Sequence, residues 1–121
     1  MKPYLNLKED GKISIGKETL NSDFYINAIG EIISRAELLK SDLGTPKNIL
    51  SLAEAAQCQD PTVHQFVIGC DDQNKLVISE EAYDFFDEHQ LKIKLLPVRE
   101  AADYWNRYEG KAIGLFHLSS E

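Results

Sequence analysis

The side chains able to act as nucleophile, base or soft ligand are two thiols, Cys58 and Cys70, and three imidazoles, His64, His89 and His117. Cys70 is the best-placed nucleophile, because it directly follows an apolar run and precedes a predicted helix. A thiolate needs a neighbouring cation or helix N-terminus to form at neutral pH, and Asp71 and Asp72 beside Cys70 work against that. His117, near the end of the last apolar run, is the base that folding could bring close. A cysteine and a histidine this far apart form no motif, and the plainer reading of His117 is a packed or edge histidine bonding a backbone carbonyl. No residue is assigned a catalytic role on this basis.

Metal chemistry is weaker still. The three histidines share no ligand spacing with one another or with either cysteine, so no metal and no cofactor is expected. Cys58 closes a helical pattern as a small packing residue. His89 falls at the end of another, where an imidazole suits the helix dipole. The segment Gly69-Cys70-Asp71-Asp72 has one glycine and two aspartates, whereas a phosphate cradle needs several glycines and a positive field. It reads as a plain turn.

Bulk composition narrows the classes. The chain has 121 residues, 43% of them apolar, and 13 basic against 20 acidic residues give a net charge of -7. Nucleic acid is a poor partner for such a surface, since binding it depends on neutralising phosphates. No stretch approaches the ~20 apolar residues of a membrane span, and Met1 to Asp10 show no secretory pattern. Two cysteines make no disulfide framework. The expectation is one domain over residues 1–121, cytoplasmic, without membrane insertion.

The elements that must position these groups follow from periodicity. Ile13 and Ile15 alternate with polar neighbours, Gly16-Lys17-Glu18 reads as a turn, and Phe24 and Ile26 repeat the alternation before Gly30. Residues 31–43 are ambiguous: Ile32, Ala36, Leu39 and Leu43 have helical spacing, but Ile32-Ile33 also suit a continuing meander. Thr45-Pro46 predicts a helix start, with Ile49, Leu50, Ala53 and Ala56 as its apolar face and Gln59-Asp60-Pro61 as its end. Val63 to Gly69 reads as a buried strand, and Leu76-Val77-Ile78 as a brief extended piece. Ser79 predicts an N-cap over Glu80 and Glu81, with an apolar stripe of Ala82, Phe85, Phe86 and His89. Ile93 to Leu96 is the next strand. Val98, Ala101, Ala102, Trp105 and Tyr108 form a second stripe, and Ala112 to Leu118 the last strand.

Residues 1–44 thus form a small β-rich portion, and residues 45–121 a helix followed by βαβαβ. Alternation of this kind predicts an α/β fold of three layers, a central mixed but mostly parallel sheet with helices on its faces. Ligands of such sheets gather beyond the carboxyl ends of the strands. The candidate binding edge is therefore Gly69, Cys70, Asp71, His117 and Ser119, with Gly69 permitting close approach. Tyr104 with Phe85 or Tyr83 is a second candidate, as an exposed aromatic patch. Asp84, Asp87 and Glu88 read as a solvated helix face.

These segments resemble a superfamily that contains a mitochondrial complex I assembly factor and the adipogenesis-associated domain protein. The likeness rests on Val67-Ile68-Gly69, on Leu76 with Ser79-Glu80-Glu81, on Ala101-Ala102-Asp103-Tyr104-Trp105-Asn106 and on Gly114-Leu115-Phe116-His117-Leu118-Ser119. Gly11-Lys12-Ile13 and Asp23-Phe24-Tyr25-Ile26 match more loosely. The resemblance implies a three-layer α/β fold with a small β portion. Relatives often carry Gly-x-Gly where Asp71 stands here, and a terminal cysteine where Ser120 stands. It implies a non-catalytic protein that binds an unknown protein partner or serves complex assembly, with a homo-oligomer also open. The alternative is a small-molecule binder or thiol-dependent enzyme using Cys70, Asp71 and His117.

Overall fold

The computed structural model describes residues 2–9, 12–39, 46, 48–71 and 75–118. Three short strands open the chain, β1 (Asn6–Leu7), β2 (Ile13–Ile15) and β3 (Glu18–Leu20), paired antiparallel in that order. Ile15 faces Glu18 across a two-residue loop, and its first residue, Gly16, has φ +60°. A type II′ hairpin reserves that position for glycine. Next come β4 (Phe24–Ile26), β5 (Ile32–Ser34) and one helical turn, α1 (Arg35–Leu38). Both readings of residues 31–43 are therefore realised in part, strand first and then helix. Leu43, Thr45 and the rest of 40–45 lie outside the described residues.

The predicted helix over Ile49 and Leu50 is corrected. Those residues form β6 (Ile49–Leu50), parallel to β8 (Val77–Ile78), and α2 spans Leu52–Cys58. Ser51 is the true N-cap, its hydroxyl accepting from the Glu54 amide at 3.3 Å, which satisfies one of the orphan donors of the first turn. Moving the start rotates the face: Ala53 and Ala56 are exposed, while Glu54 and Ala55 are buried.

The second half follows its periodicity closely. β7 (Gln65–Gly69), α3 (Glu80–Glu88), β9 (Lys92–Leu96), α4 (Val98–Arg107) and β10 (Ile113–Phe116) complete the chain. The Ser79 hydroxyl caps α3 by accepting from the Ala82 amide at 3.1 Å. Asp84, Asp87 and Glu88 are exposed, as a solvated face requires.

The central sheet has the order β5-β4-β10-β7-β9. β7 pairs parallel with β9 and β10, whereas β10–β4 and β4–β5 are antiparallel. The fold is mixed α/β, and the expected mostly parallel sheet is corrected. The cause lies in the first half, where β4 and β5 form a hairpin that docks on β10 rather than joining through a crossover.

Alternation along the strands feeds two cores. Phe66, Ile68, Ile113, Leu115 and Tyr25 pack with Ala55 of α2 and Ala82 and Phe86 of α3. Val67, Phe24, Ile26 and Phe116 pack with Val98, Ala101, Ala102 and Trp105 of α4, beside Leu5 and Ile13 of the N-terminal portion. Polar contacts pin that portion to α4. Trp105 Nε1 donates to Pro3 O at 3.0 Å, and the Asn106 side chain brackets the Leu5 amide and carbonyl, each at 2.8 Å. Among the described residues no helix is long and apolar enough to cross a membrane.

Candidate functional site

The parallel trio β9-β7-β10 brings the carboxyl ends of three strands to one edge. The Cys70 amide donates to Leu96 O at 3.0 Å and the His117 amide to Gly69 O at 2.8 Å. Gly69 lies opposite Phe116, so Cys70 and His117 occupy matching positions one step beyond. The edge expected from sequence is assembled at Gly69, Cys70, Asp71 and His117. Ser119, Ser120, Glu121 and Asp72 lie outside the described residues.

Each of these residues has a definite setting. Gly69 is a packing glycine: a Cβ there would stand 2.9 Å from Phe116 Cδ2 and 3.0 Å from Ala101 Cβ. Its absence lets α4 settle onto the sheet. Asp71 serves α4, its Oδ1 accepting from the Val98 amide at 3.1 Å where Pro97 has no capping side chain. Cys70 is half-buried against the core on the α2/α3 face. The next described helix is α3, beginning ten positions on at Glu80, so no described helix N-terminus adjoins the thiol.

His117 does not bond a backbone carbonyl through its ring. It is 5% exposed, and its Nδ1 sits 2.6 Å from Asp23 Oδ2. The other oxygen of Asp23 accepts from the Leu118 amide at 2.8 Å. Nε2 of His117 is buried without a hydrogen-bond partner. No Cys70–His117 hydrogen bond is present.

Behind His117 lies a buried ionic cluster that sequence reasoning missed. The Arg35 guanidinium reaches Asp23 Oδ2 through Nη1 at 2.9 Å, Glu54 through Nε at 2.7 Å and Nη2 at 2.9 Å, and the Ile49 carbonyl at 3.1 Å. The Tyr25 hydroxyl donates to Glu54 Oε2. A charged residue between Ala53 and Ala55 in the Leu52–Cys58 segment was the available signal, since Glu and Arg are almost never fully buried unless paired.

The electrostatics follow from this packing. Burial raises the Asp23 pKa, but hydrogen bonds from His117 and Arg35 outweigh it and hold the carboxyl below its ordinary value. Burial works against the Arg35 charge, yet Glu54 and then Asp23 hold it above its usual value. Burial, aided by the nearby Glu54 carboxylate, pushes the Cys58 thiol up to about 12. Tyr25 is likewise raised, by burial first.

The remaining candidates separate. Tyr104 packs on the α4 side and stacks with Tyr108 at 5.9 Å, whereas Phe85 packs on the α2/α3 side; the patch joining them is corrected. A hollow of about 490 Å³ is lined by Leu96, Glu100, Asp103, Tyr104, Arg107, Tyr108 and Glu109. His89 is exposed at the α3 C-cap, its Nδ1 2.8 Å from Phe85 O. Among the described residues no three His, Cys, Asp or Glu side chains are grouped to hold a metal.

With this geometry established, comparison adds the fold. Solved structures that share it include the following pair. The conserved hypothetical protein PH1505 from Pyrococcus horikoshii OT3 is 18% identical, with a TM-score of 0.76 over 95% of this chain and 98% of that one. A protein designated MT938 is 15% identical, with a TM-score of 0.72 over 98% and 99% of the two chains. At these identities the likeness extends to the mixed α/β architecture alone. No family model matches the chain, and no curated protein matches it.

Proposed function

We propose that this chain is a protein-binding or complex-assembly protein that accepts an extended segment of a protein partner along β9. The carrying observation is the outer side of that strand, which pairs with no other strand among the described residues. β9 ends the sheet, and its bonds to β7 start with the Lys92 amide on His64 O and finish with Leu96 O receiving the Cys70 amide. With the parallel register, Lys92, Lys94 and Leu96 turn their backbone groups inward, and Ile93 and Leu95 turn theirs outward. Leu95 is 43% exposed, and the hollow beside Tyr104 begins at Leu96. An unpaired N–H and C=O row next to apolar surface is the template that strand addition uses. The resemblance to the superfamily of the complex I assembly factor points the same way. A cytoplasmic setting belongs to the same reading.

Leu95→Pro is the direct test, because it deletes an outward amide and leaves the β7 ladder intact. Tagged protein purified gently from the source cell should carry a stoichiometric partner that Leu95→Pro and Leu95→Glu both lose, with the melting curve retained. A chain that purifies alone, or a partner held equally by both variants, overturns the proposal. A concentration-dependent dimer lost in the same variants would make the partner a second copy.

A second reading, a small-molecule binder or thiol-dependent enzyme, is favoured by one observation. Cys70 and His117 end adjacent strands at matching register on the same face, and Asp23 holds the imidazole.

A further inference from the structure

We infer that Cys70 is a nucleophilic thiol for small carbon electrophiles, with His117 as its base and Asp23 as the residue that positions the imidazole. The inference rests on the second reading above and assigns its parts. Neighbouring strands lie about 4.8 Å apart, and Cys70 and His117 extend the Gly69–Phe116 pairing by one residue. Cys70 packs against the α2/α3-side core. Phe116 packs on the α4 face, and a Cβ at Gly114 would point to Trp105 on that same face, so alternation sends His117 to the α2/α3 side as well.

The ring's orientation follows from its partner. Asp23 stands at the head of β4, on one side of β10, and takes Nδ1. The two nitrogens of an imidazole point in widely divergent directions, so Nε2 is turned away from β4; β7 and Cys70 lie on that other side. A carboxylate on Nδ1 fixes the tautomer with a bare Nε2 lone pair and stabilises the imidazolium that forms. This nitrogen is buried yet unpartnered, which costs stability for an idle polar group. Cys70 keeps partial exposure, as attack on a ligand requires.

The step balances without a further reagent. The Cys70 thiol proton passes to His117 Nε2, directly after rotation about the Cα–Cβ bond or through one water. The sulfur electron pair forms the S–C bond at the electrophilic carbon, whose leaving group departs with its own bonding pair. The imidazolium, held by Asp23, then releases the proton to solvent.

Cys58 is the internal control. It packs beside Tyr25 and Glu54 and donates to Ala55 O at 3.5 Å, with no histidine among its partners. The experiment is timed alkylation of the whole chain with iodoacetamide, mapped to each cysteine by peptide mass. Cys70 should react faster than Cys58 in the native protein and lose that advantage in urea. His117→Ala should slow Cys70 by about 100-fold, the scale of a lost general base, and added imidazole should restore part of the rate. Asp23→Asn should slow Cys70 as well, with Asp23→Glu retaining more. Loss of fold would show as a rise at Cys58, which separates it from loss of the base. A fast Cys70 that ignores both His117→Ala and imidazole overturns this inference and leaves a thiol-binding reading standing. A Cys70 no faster than Cys58 overturns both.

Discussion

The Arg35 guanidinium and the Glu54 carboxylate meet along two hydrogen bonds, Nε to Oε2 at 2.7 Å and Nη2 to Oε1 at 2.9 Å. Their side chains are 2% and 1% exposed. The pair ties the β5–α1 junction to the first turn of α2, and through Asp23 it reaches the end of β10. It therefore braces the wall behind His117 rather than the outer surface.

Because the pair is sealed, removing one partner should cost far more than removing both. Arg35→Met leaves the buried Glu54 carboxylate without its cation, Glu54→Leu leaves Arg35 with Asp23 as its one carboxylate among those described, and each should destabilise the chain by about 3–5 kcal/mol. The double variant should recover most of that loss. Urea unfolding of the three variants checks this, and single variants within about 0.5 kcal/mol of the parent would show that water reaches the pair.

How legible this was in the sequence depends on the range of the interactions. Ser79, the Ala82–Phe86 stripe and the Val98–Trp105 stripe announce their elements because caps and helical periodicity are local. Ile49 and Leu50 mislead because two apolar residues fit either period, and pairing with Val77 and Ile78, distant in sequence, decides between them. The edge at Gly69, Cys70 and His117 was legible from strand order alone. The cluster around Asp23, Arg35 and Glu54 was not, since its members gain meaning only once three separate segments converge. Asp71 was visible as a residue but not as a cap for α4, for the same reason.

Acid should weaken the fold through Asp23. Its folded pKa lies below the unfolded value near 3.8, so its contribution is complete above that value and is lost as pH falls through the folded pKa. Asp60, lowered by its bonds to Thr62, acts in the same direction. The urea midpoint should fall steadily below pH 4, and Asp23→Asn should flatten that limb while lowering stability at pH 7. An unchanged acid limb in Asp23→Asn would contradict the assignment.

Alkali should act through the opposite sign at Cys58. The thiol is raised from 9.0 to about 12, so the unfolded chain loses its proton first. Stability is complete below pH 9 and declines as pH rises toward 12. Tyr25, raised above 10.0, extends the decline. Cys58→Ala should make the curve shallower between pH 9 and 10, and the measurement is the urea midpoint across that interval.

Gly69 is the point where α4 comes nearest the sheet, and a single methyl tests that contact. Added to Gly69, it would meet Phe116 Cδ2 at 2.9 Å and Ala101 Cβ at 3.0 Å. Phe116 cannot swing aside, because it is fully buried and stacked on Phe24 at 5.3 Å. Ala101 has no flexible atoms to move, so α4 itself must shift. Overpacking of this kind costs about 1–3 kcal/mol. Gly69→Ala should lower the melting temperature by several degrees, and Gly69→Ala with Ala101→Gly should regain part of it through the relieved contact, less the helix cost of a glycine of about 1 kcal/mol. Since Val98, at the start of α4, is bonded to Asp71, the same shift should reach the Cys70 edge. Iodoacetamide labelling of Cys70 in Gly69→Ala therefore reports how tightly helix packing and the candidate site are joined, and an unchanged rate alongside a lowered melting temperature would show that they are not.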